Sequence, residues 1–130
     1  MKLSHAPAVI GIALAVFLAS AVGSGVVWGQ QSQSQQGVSY SQVAPVLQKY
    51  CMTCHTGAKP ARGLRLDTYE NLMQGGNKGK VVTPGEPRKS SLFLRITGDE
   101  KPRMPRNGPP WVSQQETATV EEWIARGARP

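Results

Sequence analysis

The chain has only two cysteines. They stand in KYCMTCHTG, Lys49 to Gly57, with His55 directly behind the second. Nothing else in the sequence limits the fold as tightly, because thiols this close serve few ends. A Cys51–Cys54 disulfide would close a tiny loop and stabilise little. A thioredoxin-type redox pair needs a strand before it and a helix after it, whereas the residues before Cys51 read as helix. A structural zinc site needs four ligands, and past the N-terminal segment the sequence offers only Cys51, Cys54 and His55. Carboxylates would have to complete it. The remaining chemistry is covalent haem attachment. Two thiols separated by two residues reach the two vinyl groups of one porphyrin, and the next residue turns its imidazole to the iron. Cys51-Met52-Thr53-Cys54-His55 supplies all three groups, for one haem c with His55 as an axial ligand.

A large flat apolar group also answers a shortage. Ahead of the motif, Ala6 to Gly29 holds no charged residue across 24 positions. That length suits either an export signal or a bilayer span. Ala19-Ser20-Ala21 is a small-x-small cleavage pattern, with Val27-Trp28-Gly29 a weaker one, and Trp28 would also suit a membrane interface. Both readings, a signal peptide and an N-terminal membrane anchor, stay open. Each exports the rest of the chain to the periplasm, as a soluble or inner-membrane-anchored protein. Residues 30–38 are a flexible Gln/Ser linker. The folded domain is then 39–130, small enough to have a thin core. Nine of the ten prolines lie beyond residue 40 and glycine is frequent, so much of the domain is loop.

The formal net charge is +7, from 15 basic and 8 acidic residues, with the basic ones crowded between Lys59 and Arg106. An exported chain without interleaved aromatic and basic residues is a poor match for nucleic acid. Redox proteins with acidic docking surfaces fit the charge better.

Haem iron has a second axial position. His5 and Met1 lie in the leader, and Met52 is pinned between the cysteines. Met73 lies in LDTYENLMQGG, where Asp67 and Glu70 have capping-box spacing and Gly75-Gly76 stops a helix. Tyr69, Leu72 and Met73 share its apolar face, so Met73 reads as a packing residue. Met104 lies in EKPRMPRNGPPW, among prolines that forbid regular helix. A lone apolar side chain in a stiff basic loop is favoured as the distal iron ligand. Elsewhere Val43, Val46, Leu47 and Tyr50 follow helical spacing, with Pro45 tolerable near the first turn. Ser90 or Ser91 can cap a helix through Leu92, Phe93, Leu94 and Ile96, ending near Gly98. Ser113 and Glu116 form a capping box before the stripe Val120, Trp123, Ile124, with Gly127 as the stop. No alternation supports a sheet, so the fold class is all-α.

These residues resemble class I c-type cytochromes, and more closely the planctomycete-type cytochrome c-like domain family. The motifs are Val43–Leu47, Cys51–His55, Gly63–Asp67, Gly75-Gly76, Val82–Pro87, Ser91–Leu94, Arg103–Pro105 with Gly108–Pro110, and Trp123–Ala128. The resemblance implies a small cytochrome c fold around one covalent haem, with first and last helices crossing beside it. It also implies His55 and Met104 as axial ligands. With both positions filled, the iron exchanges single electrons and is closed to substrate, which describes an electron carrier and not an enzyme. The alternatives are a haem-bearing subunit of a larger oxidoreductase and a ligand-binding or peroxidase-like domain with an open sixth site. Arg65, Arg103 and Arg106 are candidate partners for haem propionates.

Overall fold

The last helix is built by short-range signals. Glu116 N–H donates to Ser113 Oγ at 3.2 Å, and the Glu116 carboxylate accepts from Ser113 N at 2.9 Å. This reciprocal cap satisfies amides that have no partner inside the helix. In the computed structural model, which describes residues 37–130, the helix runs Gln114–Ala125 (α4) and buries Val120, Trp123 and Ile124 completely. Gly127, at φ 96, ends it in a conformation that L side chains resist. The expected leader (1–29) and most of the linker (30–38) lie outside the described residues.

The first helix, α1, spans Tyr40–Tyr50 and buries Val43, Val46 and Leu47. It starts three residues ahead of the apolar pattern, because Ser39 caps it and the Gln42 side chain accepts from Ser39 N at 3.0 Å. Pro45 therefore lies inside the helix, not in its first turn. The carbonyl it leaves without a partner belongs to exposed Ser41, where water can satisfy it.

Helices α1 and α4 pack antiparallel. At one end Tyr50 Oη donates to Glu116 Oε2 at 2.9 Å and Lys49 Nζ sits 3.0 Å from Glu116 Oε1. At the other, the Tyr40 and Trp123 rings are 6.1 Å apart and Tyr40 N–H reaches Arg129 O at 3.2 Å. The Trp123 indole N–H also finds a partner, Arg129 O at 2.6 Å, so burying this large ring strands no polar atom.

Two shorter helices complete the domain. Helix α2, Tyr69–Gln74, is capped by Thr68, not Asp67. The Asp67 carboxylate is taken by Arg65 and by Asn71 Nδ2 at 2.8 Å, which leaves the Thr68 hydroxyl to accept from Asn71 N at 3.2 Å. Leu72 is buried, while Tyr69 meets Tyr40 edge-on at 5.6 Å and donates to Ala128 O at 3.0 Å. Helix α3, Ser91–Thr97, buries Leu92, Phe93 and Ile96 and stops at Gly98 with φ 92. Its first flanking residue, fully buried Ser90, does not cap with its hydroxyl. That oxygen accepts from Thr83 N at 2.9 Å and donates to Glu86 O at 3.0 Å, folding VTPGEP into a turn against α3. Among the described residues there is no strand, only an isolated bridge between Gly76 and Gly79, so the fold is all-α. None of these helices is long and apolar enough to cross a membrane.

Candidate haem attachment site

The attachment turn grows directly out of α1. Cys51 is the residue that ends the helix, and its N–H still donates to Leu47 O at 2.8 Å. Cys54 N and His55 N both return to Cys51 O, at 3.2 and 3.0 Å. The chain thus makes one more turn after the helix. These i+3 and i+4 backbone bonds hold Cys51, Cys54 and His55 within a single turn.

Both cysteines are free thiols. Cys51 is half-buried and Cys54 exposed. Burial, with a smaller contribution from Cys54, pushes the Cys51 thiol up to about 11. Among the described residues no three His, Cys, Asp or Glu side chains gather as a metal site. Two cysteines and one histidine as neighbours in a turn serve a porphyrin better than a bare ion, which needs ligands from several directions.

The imidazole is oriented by the backbone. His55 Nδ1 lies 3.1 Å from Leu64 O. A carbonyl oxygen can only accept, so Nδ1 carries the proton and Nε2 keeps its lone pair. This arrangement is the one that metal-ligating histidines use, and the partner raises ligand basicity. The loop that brings Leu64 back is closed by two further bonds, Ala61 N to Cys54 O at 2.8 Å and Leu66 N to His55 O at 2.9 Å. Met52, Leu64, Met73, Val81 and Leu94 pack on the core yet stay partly exposed. Donor set, tautomer and uncovered apolar surface all fit a covalently held haem.

Met104 lies apart from this turn, in the loop after α3. Its N–H donates to Arg95 O at 2.8 Å. Arg95 holds the loop a second and third time, through Pro102 O at 3.2 Å and Glu100 Oε1 at 2.6 Å. Arg103 donates to Ile96 O at 3.3 Å and stacks over Trp111 at 4.4 Å. Met104 is half-buried, and among the described residues no hydrogen bond joins its loop to residues 51–66. Met73 instead packs on the core. Of the three arginines considered for propionates, Arg65 is engaged by Asp67, Arg103 by Trp111, and Arg106 is exposed.

Two open clefts lie elsewhere. One of about 380 Å³ lies beside Val38 and Arg129, and one of about 320 Å³ lies between Arg103 and Glu121. Neither is lined by Cys51, Cys54, His55 or Met104. Sequence spacing anticipates the thiols and the imidazole. It misses the Leu64 carbonyl and the Arg95 latch, because one is a backbone atom and the other acts only once α3 meets the loop.

Residues 51–108 match the family model described as planctomycete cytochrome C. The match opens at Cys51 and includes His55 and Met104, while α1 and α4 fall outside it. No curated protein and no solved structure matches the chain.

Proposed function

We infer, from a chain whose residues 51–108 match the planctomycete cytochrome C family, that it is a single-haem c-type cytochrome carrying single electrons. The observation that carries this reading is the His55 Nδ1 contact with Leu64 O at 3.1 Å inside the Cys51–His55 turn. It fixes the His55 tautomer in the same turn that carries both cysteines.

The chain's residues divide the work. Cys51 and Cys54 would hold a haem by adding their S–H groups across its two vinyl double bonds, sulfur to one carbon and hydrogen to the other, with nothing released. His55 would offer Nε2 to the iron, its Nδ1–H held on Leu64 O. Met104 would offer its thioether as the second ligand, its loop tied down by Arg95. A thioether ligand favours the reduced state and raises the potential. Bound there, haem supplies an iron that gains or loses one electron with little rearrangement. With His55 and Met104 both serving as ligands, the domain would transfer electrons without binding substrate.

The surface near exposed Cys54 suits an acidic redox partner. Lys59, Arg62, Lys78 and Lys80 are exposed and take part in no ion pair among the described residues, whereas every described acid except Glu70 and Glu121 is paired. Opposite charge on a partner speeds encounter more than it tightens the complex. The uncharged run Ala6–Gly29 supports work outside the cytoplasm, as a free or tethered carrier. Mass spectrometry of the protein matured in a host that attaches haem c tests the reading. One haem adduct on the Cys51–Cys54 peptide is expected, and a folded, redox-active protein without the adduct would overturn it.

A further inference from the structure

The carbonyl that orients His55 is itself held from behind. Leu64 follows a tight 3-10 turn, Ala61–Gly63, in which Arg62 sits at φ 59 and Gly63 at φ 67. Few non-glycine residues occupy that region without something fixing them there. What presses on this turn is the loop after α2. Gly76 and Gly79 exchange two hydrogen bonds, of 3.1 and 2.8 Å, and close the loop on itself. Asn77 N–H then donates to Arg62 O at 2.9 Å. The two turns meet backbone to backbone at Gly76. A Cβ there would stand 2.8 Å from Arg62 O, closer than real contacts come, and 3.0 Å from the Leu64 Cβ, tighter than most. On the other side a Cβ at Gly63 would strike the Asn77 side chain.

We propose that the Gly75–Lys80 turn is a positioning element for the iron-ligating histidine, with Gly76 and Asn77 its key residues: it clamps Arg62–Leu64 so that the Leu64 carbonyl stays on His55 Nδ1. The proposal rests on the reading of His55 as an axial ligand and adds a third layer behind it. A hydrogen bond from Nδ1–H to a carbonyl makes the imidazole a stronger donor to iron and favours the oxidised state. A side chain at Gly76 meets Arg62 O and then Leu64, so it forces the two turns apart and draws Leu64 off His55. The contact of 3.1 Å then lengthens, and the oxidised state loses support. Glycine at this position is needed for close approach, not for its φ.

Gly79 supplies an internal control. It sits in the same turn at φ 95, so alanine strains the backbone there too, yet nothing lies within 4 Å of the Cβ it would add. A turn that mattered only for general stability would respond to both substitutions alike.

The test uses the full chain with haem attached, so a missing adduct in the wild type refutes the electron-carrier reading and not this proposal. The reduction midpoint is measured by redox titration, and the His55 ring protons are followed as paramagnetically shifted signals in the oxidised protein. Gly76→Ala is expected to shift the midpoint upward and move those signals, while Gly79→Ala leaves both at the wild-type values. If Gly76→Ala does not mature, Asn77→Ala takes its place. It removes only the side-chain support of Gly63 and is expected to give a smaller shift in the same direction. Wild-type midpoint and signals in the first of these variants that matures would overturn the proposal, as would equal shifts in Gly76→Ala and Gly79→Ala.

Discussion

Glu116 joins the two helices that frame the domain, and its removal can be worked through. Its carboxylate closes the α4 cap, accepts from Tyr50 Oη at 2.9 Å and lies 3.0 Å from Lys49 Nζ. The hydrogen bond from Ser113 N is the largest cause, followed by its hydroxyl, Lys49 and Tyr50, and together they hold the carboxyl at about 2 instead of 4.5. A preference of that size for the charged form corresponds to about 3 kcal/mol. The side chain is 23% exposed, and screening by water and salt leaves about 1–1.5 kcal/mol of it. Glu116→Gln keeps the shape and loses the charge. At pH 7 the variant should be less stable by that amount, which for a domain of this size lowers Tm by roughly 4–12 °C. The pH dependence fixes the sign. A carboxyl whose folded pKa is depressed contributes fully above its unfolded value and loses the contribution as pH falls through the folded one. The gap between wild type and Glu116→Gln should therefore be constant above about pH 5 and narrow toward pH 2. Urea titrations of both haem-loaded proteins across that range measure it. A gap that stays the same at pH 3 would refute the electrostatic account and leave only a shape effect. A Tyr50→Phe cycle adds a second check, with a coupling of about 0.5–1 kcal/mol between the two sites.

Met104→Ala should abolish the weak red sulfur-to-iron absorption band of the oxidised protein. Met73→Ala should keep that band and cost about 1–2 kcal/mol of packing, as read by urea unfolding. In haem-free, reduced protein, iodoacetamide should alkylate exposed Cys54 roughly tenfold or more before half-buried Cys51, whose thiol burial holds at about 11; equal labelling of the two at early times would contradict that. Lys78→Glu with Lys80→Glu should slow oxidation by ferricyanide several-fold at low salt and flatten its salt dependence in stopped-flow traces. Trp123→Ala removes a fully buried ring and should cost about 3–5 kcal/mol, enough to unfold much of the haem-free protein in circular dichroism.

How much of the molecule is legible in its sequence depends on the range of the forces involved. Helix α4 is readable because its cap, stripe and stop all act within a few residues: Ser113 with Glu116, Val120 with Trp123 and Ile124, then Gly127. The Cys51–His55 motif is readable for the same reason, since Cys51, Cys54 and His55 lie within one turn. The start of α1 is not, because Tyr40, Ser41 and Gln42 form a first turn without an apolar pattern. Thr68 and Asp67 are both plausible caps, and only Arg65 and Asn71 decide between them by occupying the Asp67 carboxylate. Gly75-Gly76 announces a helix stop but not the backbone contact at Gly76, which depends on a turn twelve residues upstream. Arg95 looks like one more surface cation until α3 places it under the Met104 loop.

Among the described residues, eight of the fourteen buried apolar side chains, from Val43 to Ala128, lie outside residues 51–108. The recognisable segment is therefore not a unit that can be excised. Cut at those limits, it would keep its thiols, imidazole and thioether but lose Leu47, Trp123 and Ile124, the interior against which they are arranged. Transplanting this domain into another protein means moving both flanking helices with it, and alignments trimmed to the shared stretch would mark the wrong borders for expression.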